Sequence, residues 1–384
     1  MTRPAIYLDH NASAPLLPEA RDALVAALAL AGNPSSPHGH GRALMRLIEA
    51  ARGKVAALAG AERSQVAFTG SATEAIAQAI IGGVKALKLD AVVIGAGEHA
   101  AVGKSAEMTA LPVTRVGLDA DGVMRVEEVA ARLREAERSG ESVLVAVQAV
   151  NNETGVVQPL HDIANLVGPT RHVLFIDAVQ AFGKLPLEFA ASPADMMAVS
   201  AHKIAGPVGV GALLVKSHAD SVRLIQGGGH EQGRRAGTQS AALISAFGVA
   251  ADLFPGRFQG AKVAALIDAM EAGLRRLAPD LVIFGESAGR VGNVVNFAVP
   301  GLNNAVAMVG LDLMGLSVSS GSACSSGKVG RSHVLAAMGV TPGLSEGALR
   351  VSLGWNSTPD DVDAFLKGFE LVLDRQRGRQ GQAA

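Results

Sequence analysis

Cysteine is nearly absent from this chain: Cys324 is the only one in 384 residues. A disulfide within the chain is therefore excluded, and such sparing use fits a reducing cytoplasm. Aromatic residues are scarce as well, at 3%. With an apolar fraction of 49%, the cores must be built mainly from Ala, Val, Leu and Ile. Neither sign of charge dominates. The formal net charge of −1 gives nucleic acid and anionic membranes no electrostatic handle. Long apolar runs are missing too: 241–254 and 305–318 are short or broken by Asp312, below the roughly 18 residues of a membrane span. The first ten residues reach a charge quickly and hold no apolar core, so no signal peptide is expected. The ten histidines form no set with zinc spacing. Neither G-x-G-x-x-G nor a Walker sequence occurs. These absences predict a soluble cytoplasmic protein without metal or nucleic acid.

What is present is an alternation. Short β-branched runs at 65–69, 91–94, 113–116, 143–150, 173–176, 196–200 and 210–215 read as strands. Several carry few charges, as strands covered on both faces do. Amphipathic segments lie between many of them, such as 126–138 with Val126, Val129, Ala130 and Leu133 on one face. Strands alternating with helices predict an α/β fold with a mostly parallel central sheet. After about Ala250 the rhythm changes to a helix at 260–277, strands near 281–284 and 294–299, a helix at 304–314, the Cys324 loop, a strand at 349–353 and a helix from 360 to about 375. This predicts a smaller α+β domain, followed by a polar, frayed tail from Gly378.

Polar residues interrupt the strand ends. Asp177 and Gln180 follow one apolar strand, and Ser200, His202 and Lys203 follow another. Ligands of open α/β sheets bind outside the carboxyl ends of strands. An Asp and a Lys at neighbouring ends suit pyridoxal phosphate, the lysine as Schiff-base former and the carboxylate as partner of the ring nitrogen. Taken alone, a capping Asp beside a solvated Lys is the plainer reading. Ser71-Ala72-Thr73-Glu74 follows a strand and opens a helix, a place for a phosphate or for ordinary capping. Asn151 to Gly155 offers amides to a ring hydroxyl or carboxylate, or makes an Asx turn. Gly227 to Thr238 combines glycines with two arginines, suited to an anion or to a flexible connection. Cys324 sits in Ser320-Gly321-Ser322-Ala323-Cys324-Ser325-Ser326-Gly327. A structural cysteine is normally buried among apolar side chains. This setting leaves two readings, an incidental residue or a reactive thiol.

In order, Tyr7 to Ala12, Asn33 to His38, Ala72-Thr73-Glu74, Glu98-His99, Asn151 to Gly155, Asp177 to Gln180, Ser200 to Lys203, Gly227 to Thr238, Ser320 to Cys324 and Arg350 to Leu353 resemble the NifS-like cysteine desulfurases. These are fold-type I pyridoxal phosphate enzymes, and the likeness covers nearly the whole chain. The resemblance implies a large cofactor-binding α/β domain at 16–250. It also implies a small α+β domain, made of 1–15 and 251–384, that carries the cysteine loop. It implies Lys203 as the Schiff-base lysine, Asp177 as partner of the ring nitrogen, and Gln180 and Asn152 as partners of the ring oxygen. Ala72, Thr73, Ser200 and His202 would hold the phosphate, with Thr238 reaching that of a neighbouring subunit in a homodimer. His99 would stack on the ring and move protons. Arg350, Asn33 and Asn152 would bind the substrate, L-cysteine. Cys324 would be the nucleophile that takes its sulfur and passes it to an acceptor protein for iron–sulfur assembly or tRNA thiolation. A selenocysteine lyase shares this chemistry; a non-catalytic scaffold in sulfur trafficking would need none of it.

Overall fold

The computed structural model describes residues 5–320 and 331–383, so Cys324 and its expected loop lie outside the described residues. The strands are β1 (Ile6–Tyr7), β2 (Val66–Thr69), β3 (Ala91–Gly95), β4 (Val113–Val116), β5 (Val143–Gln148), β6 (Val173–Asp177), β7 (Met196–Ser200), β8 (Gly211–Val215), β9 (Val282–Ile283), β10 (Val294–Ala298), β11 (Leu316–Ser317) and β12 (Ala348–Ser352). A seven-stranded sheet runs in the order β2-β8-β7-β6-β5-β3-β4. Every residue of β3, β5, β6, β7 and β8 is buried, which is why these runs of Val, Ile, Leu, Ala and Met show no polar alternation.

The sheet is parallel from β4 to β7, whereas β8 is antiparallel to both β7 and β2. Two reversals return β2 to the direction of β6. The carboxyl ends of β2, β3, β5, β6 and β7 therefore share one edge, together with the amino end of β8. Gly211 opens β8 because of what arrives there. A Cβ at this position would stand 2.8 Å from Ala72 N and 2.9 Å from Val199 O, so only glycine lets the turn after β2 approach.

Beside this sheet lie a three-stranded antiparallel sheet, β12-β10-β9, and the parallel pair β1-β11. The chain start joins all three. Leu8 donates to Ser317 O and accepts from Ser352 N, while Ala14 and Leu17 donate to His202 O and Ala205 O. Residues 5–17 thus form a strap from the smaller sheets to the turn after β7. The C-terminal helix spans Pro359–Ala383, longer than the expected stop near Arg375. Its Gln and Arg residues favour helix well enough to carry it past Gly378.

The helices Gly39–Leu58 and Ala241–Phe258 pack closely over the sheet. Among the described residues, Ala241–Phe258 is the one helix long and apolar enough to cross a membrane by length and composition, and its residues are mostly buried inside the fold. Its Gly248 sits against Ala51, where a Cβ would come within 2.5 Å of Ala51 Cα. Gly256, on the same helix, has open space around it. Gly248→Val should lower the unfolding free energy by about 1–3 kcal/mol through overpacking. Gly256→Ala should raise it by up to about 1 kcal/mol through helix propensity. Urea unfolding of both variants checks the pair, and equal effects would show that the helices can move apart freely.

Candidate active site

A cavity of about 320 Å³ opens at the shared strand edge. Each wall comes from a strand end. β6 supplies Asp177 as its last residue, and Val179 and Gln180 follow. β7 supplies Ser200, then the turn Ala201–Ile204 brings His202 and Lys203. That turn closes through Gly206 N–H to Ala201 O at 2.9 Å and ends at Ala205 with φ +58°. A left-handed alanine is a strained choice that the surrounding bonds must hold in place. The turn after β2 supplies Ser71, Ala72 and Thr73; those after β3 and β5 supply His99 and Asn152. The strap supplies Asn11 and Ala12.

Local bonds fix these groups. Ser71 Oγ accepts Glu74 N–H at 3.1 Å, and Glu74 Oε2 accepts Gly70 N–H at 2.8 Å. This capping leaves the first amides of the helix that starts at Ala72 available to an anion. Lys203 Nζ donates to Asn11 O at 2.6 Å and to Ala12 O at 2.8 Å. Asp177 is buried; its Oδ1 accepts Val179 N–H at 3.0 Å. Burial raises its pKa, against the lowering effects of that bond and of His99 and Lys203. A cationic ring nitrogen is the kind of partner such a carboxylate lacks.

Burial also lowers the pKa of His99, with Lys203 and His333 adding to it and Asp177 opposing. His99 Nδ1 accepts Ala101 N–H at 3.1 Å. A neutral imidazole accepting at Nδ1 carries its proton on Nε2, so His99 is a donor toward the cavity. Burial and Lys203 push His202 down to about 4. Behind His99, Glu98 is fully enclosed; burial raises its pKa well above the carboxylate range despite the Gln148 N–H at 2.8 Å.

Nine of the expected site residues therefore meet on one cavity: Ala72, Thr73, His99, Asn152, Asp177, Gln180, Ser200, His202 and Lys203. Arg350 lies next to it rather than in its wall. Its guanidinium donates to Asn152 O at 3.0 Å and Asp9 Oδ1 at 2.7 Å, and its buried Nε has no partner among the described residues. Asn33 and Thr238 do not join the cavity. They share a separate groove with Glu49, Arg52 and Glu231.

The glycine-rich segment is not a loose connection there. Buried Glu231 takes two bonds from Arg52, at 2.6 and 3.0 Å, and one from Phe68 N at 2.8 Å. Its arginines, expected to suit an anion, are occupied by Asp220 and Glu74 of the same chain.

Cys324 lies outside the described residues, but both flanks of its segment are fixed. Ser319 exchanges two backbone bonds with Arg350, at 2.7 and 3.1 Å. Ser332 Oγ donates to buried Glu153 at 2.6 Å, and His333 Nε2 donates to Glu98 O at 2.8 Å.

Two cavity-side groups escaped sequence reasoning as functional residues. Asn11 was visible only as part of a motif. Lys184 follows Gln180 by four positions and is buried against it, a spacing that means contact only once the segment is known to be a turn.

The donor set fits pyridoxal phosphate. One cavity gathers a buried carboxylate, a lysine, amides, hydroxyls and imidazoles, with the start of the helix at Ala72 in its wall. Comparison with known proteins agrees. Residues 6–365 match the family model for class-V aminotransferases. The chain is 37% identical to a cysteine desulfurase of Cereibacter sphaeroides, over 97% of this chain and 96% of the relative. It is 36% identical to the IscS-like cysteine desulfurase of Mycobacterium tuberculosis, over 97% of each. A solved NifS-like protein from Rickettsia africae superposes with a TM-score of 0.87 at 29% identity, covering 96% of this chain and 99% of that one.

His10 sits beneath this site, buried, and burial together with Lys184 lowers its pKa to about 4. The unfolded chain binds a proton here below its ordinary value of 6.5, while the folded protein does not until far lower pH. Stability from this group is thus complete above that value and is lost as pH falls toward 4. Between about pH 7.5 and about pH 5, the wild type should lose about 1–2 kcal/mol more than His10→Gln. Urea unfolding at the two pH values checks this; equal losses would mean that His10 protonates freely in the fold.

Proposed function

Because the chain belongs to the class-V aminotransferase family and, within it, to the NifS-like cysteine desulfurases, we propose that it takes sulfur from L-cysteine, releases L-alanine and holds the sulfur as a persulfide on Cys324. One observation carries this reading. Lys203, Asp177, Thr73 and His202 meet on a single cavity, and both flanks of the Cys324 segment are fixed beside it.

Pyridoxal 5′-phosphate, bound through Lys203, supplies an electron sink for negative charge at the substrate Cα. Asp177 is the residue to pair with its ring nitrogen, Gln180 and Asn152 with its ring oxygen, and Ala72, Thr73, Ser200 and His202 with its phosphate. His99, in the cavity wall, would stack on the ring and offer its Nε2 proton. Lys203 Nζ, as a free amine, would move the proton at the substrate Cα. Arg350 orients the substrate carboxylate; its fork suits two oxygens, and its Nε, without a partner among the described residues, leaves capacity beyond Asp9 and Asn152.

Cys324, as thiolate, attacks the substrate sulfur. A sulfur–sulfur bond forms and the substrate carbon–sulfur bond breaks. In balance, Cys324 thiol and L-cysteine give Cys324 persulfide and L-alanine. His99 is a poor acceptor for the thiol proton, since its Nδ1 is occupied and its Nε2 already protonated. The substrate amine or solvent takes that role.

A homodimer accounts for Thr238, which lies away from its own chain's cavity and in a second copy would reach the phosphate there. Asn33 shares that groove. Within each copy, 16–250 hold the cofactor, and 251–384 with 1–15 carry the sulfur. The single cysteine supports a cytoplasmic protein. It also puts the acceptor outside this chain, in a scaffold for iron–sulfur assembly or a route to tRNA thiolation.

Lys203→Ala should lose the visible absorbance of bound cofactor. Cys324→Ala should keep it while alanine release from L-cysteine falls at least about 100-fold. Alanine release by Cys324→Ala at the wild-type rate would show that the nucleophile is another group. A marked preference for L-selenocysteine would reassign the enzyme as a lyase. Labelled persulfide sulfur, followed into a cell extract, identifies the acceptor.

A further inference from the structure

Lys184 is a second lysine, half-buried behind Gln180 of the cavity wall, that the reaction above does not use. Its Nζ lies 2.9 Å from Gln180 Oε1 and 3.2 Å from Asn11 Oδ1. Nζ donates to Oε1, and an amine keeps N–H donors whether or not it is charged, so the carboxamide oxygen of Gln180 faces Lys184. The amide nitrogen then takes the other side, where it donates to Asn11 O at 2.9 Å. Asn11 O is itself a pure acceptor. The two neighbours therefore act as a pair of keys, Lys184 demanding an acceptor and Asn11 a donor, and only one orientation of Gln180 satisfies both. In that orientation the carboxamide has a second N–H left over, on a residue that lines the cavity.

We propose that Lys184 is a positioning residue that locks Gln180 with its amide N–H₂ turned to the cavity, making Gln180 an obligate hydrogen-bond donor to the cofactor's ring oxygen. Lys184 acts through Gln180 and touches neither substrate nor cofactor. The inference rests on the pyridoxal phosphate reading of the site. Without Lys184 the amide loses one key, and Gln180 Oε1 becomes a buried acceptor with no partner. A donor held on the ring oxygen stabilises its anionic form. It thereby lowers the pH at which the lysine-bound cofactor gives up its proton, which the visible absorbance reports.

The test is a pH titration of that absorbance in the loaded enzyme, with no substrate present. Lys184→Met should raise the midpoint by roughly one pH unit, the size of one hydrogen bond. Asn11 Oδ1 keeps its bond from Asn293 Nδ2 at 3.0 Å, and Met removes a buried charge, so the fold should tolerate the change. Lys184→Gln separates orientation from charge, because a neutral amide still donates to Gln180. Its midpoint should stay near that of the wild type. Gln180→Leu should move as far as Lys184→Met, and the double variant no further than Gln180→Leu alone. A Lys184→Gln midpoint as high as that of Lys184→Met, or additive shifts in the double variant, would show that Lys184 works by its charge alone and would overturn the proposal. A wild type that never develops visible absorbance with pyridoxal phosphate would instead sink the cofactor reading, and the proposal with it.

Discussion

Everything near the cavity depends on one buried asparagine. The carbonyl of Asn11 accepts Lys203 Nζ and Gln180 Nε2. Its side-chain oxygen accepts Lys184 Nζ and Asn293 Nδ2. Its own N–H donates to Ser352 Oγ at 2.9 Å, and its Nδ2 to Asn152 O at 3.2 Å. Both lysines, the turn after β5 and strand β12 thus meet at a residue from the start of the chain. Buried polar groups must be paired, and a network with every member paired rigidifies its surroundings. A shift of the strap by one position would orphan most of these groups at once, so the register of residues 5–17 is fixed by hydrogen bonding as much as by β1.

The electrostatics of the site follow from its burial. Lys203, Lys184 and Arg350 lie close enough that both Lys203 and Arg350 disfavour charge on Lys184, whose pKa burial and these neighbours lower to about 7. His202 and His10 are pushed neutral for the same main reason, loss of water. On the carboxylate side Asp177, Glu98 and Glu153 are all raised, again chiefly by desolvation. Such a site resists its own charges, and anions entering it would relieve the cationic side. A phosphate at the Thr73 turn and a substrate carboxylate near Arg350 are complementary to it. On the proposed reading, the cation they leave uncovered, at the ring nitrogen, would fall to Asp177.

The central sheet was legible because its strands are simple. Met196–Ser200 and Val113–Val116 occupy the residues their composition predicted. The abrupt polarity at Asp177 and Lys203, each at the end of an apolar run, pointed to that edge, but only the ordered set of motifs set it above a capping Asp beside a solvated Lys. What stayed hidden was pairing across long sequence distance. The arginines at 234 and 235 looked free for an anion because Asp220 and Glu74, their actual partners, are remote signals. Lys184 was not singled out, because nothing in the Ala181-Phe182-Gly183 stretch before it announces the turn that sets it against Gln180. Asn33 and Thr238 carry no local sign that they face a groove of their own.

The strap has a consequence for how the protein is made. Asp9 bridges to Ser352 in the smaller sheets, so the first structured residues wait for nearly the last before they can settle. A nascent chain can complete the central sheet, with all the strand ends that wall the cavity, well before β12 leaves the ribosome. During that interval the strap has its partners at His202 and Ala205 but not those at Ser317 and Ser352. Domains fold as units while synthesis proceeds, and contacts of such long sequence separation form slowly. The strap is thus held at one end before the other, and the network around Asn11 is complete only once Asn293 and Ser352 have joined it.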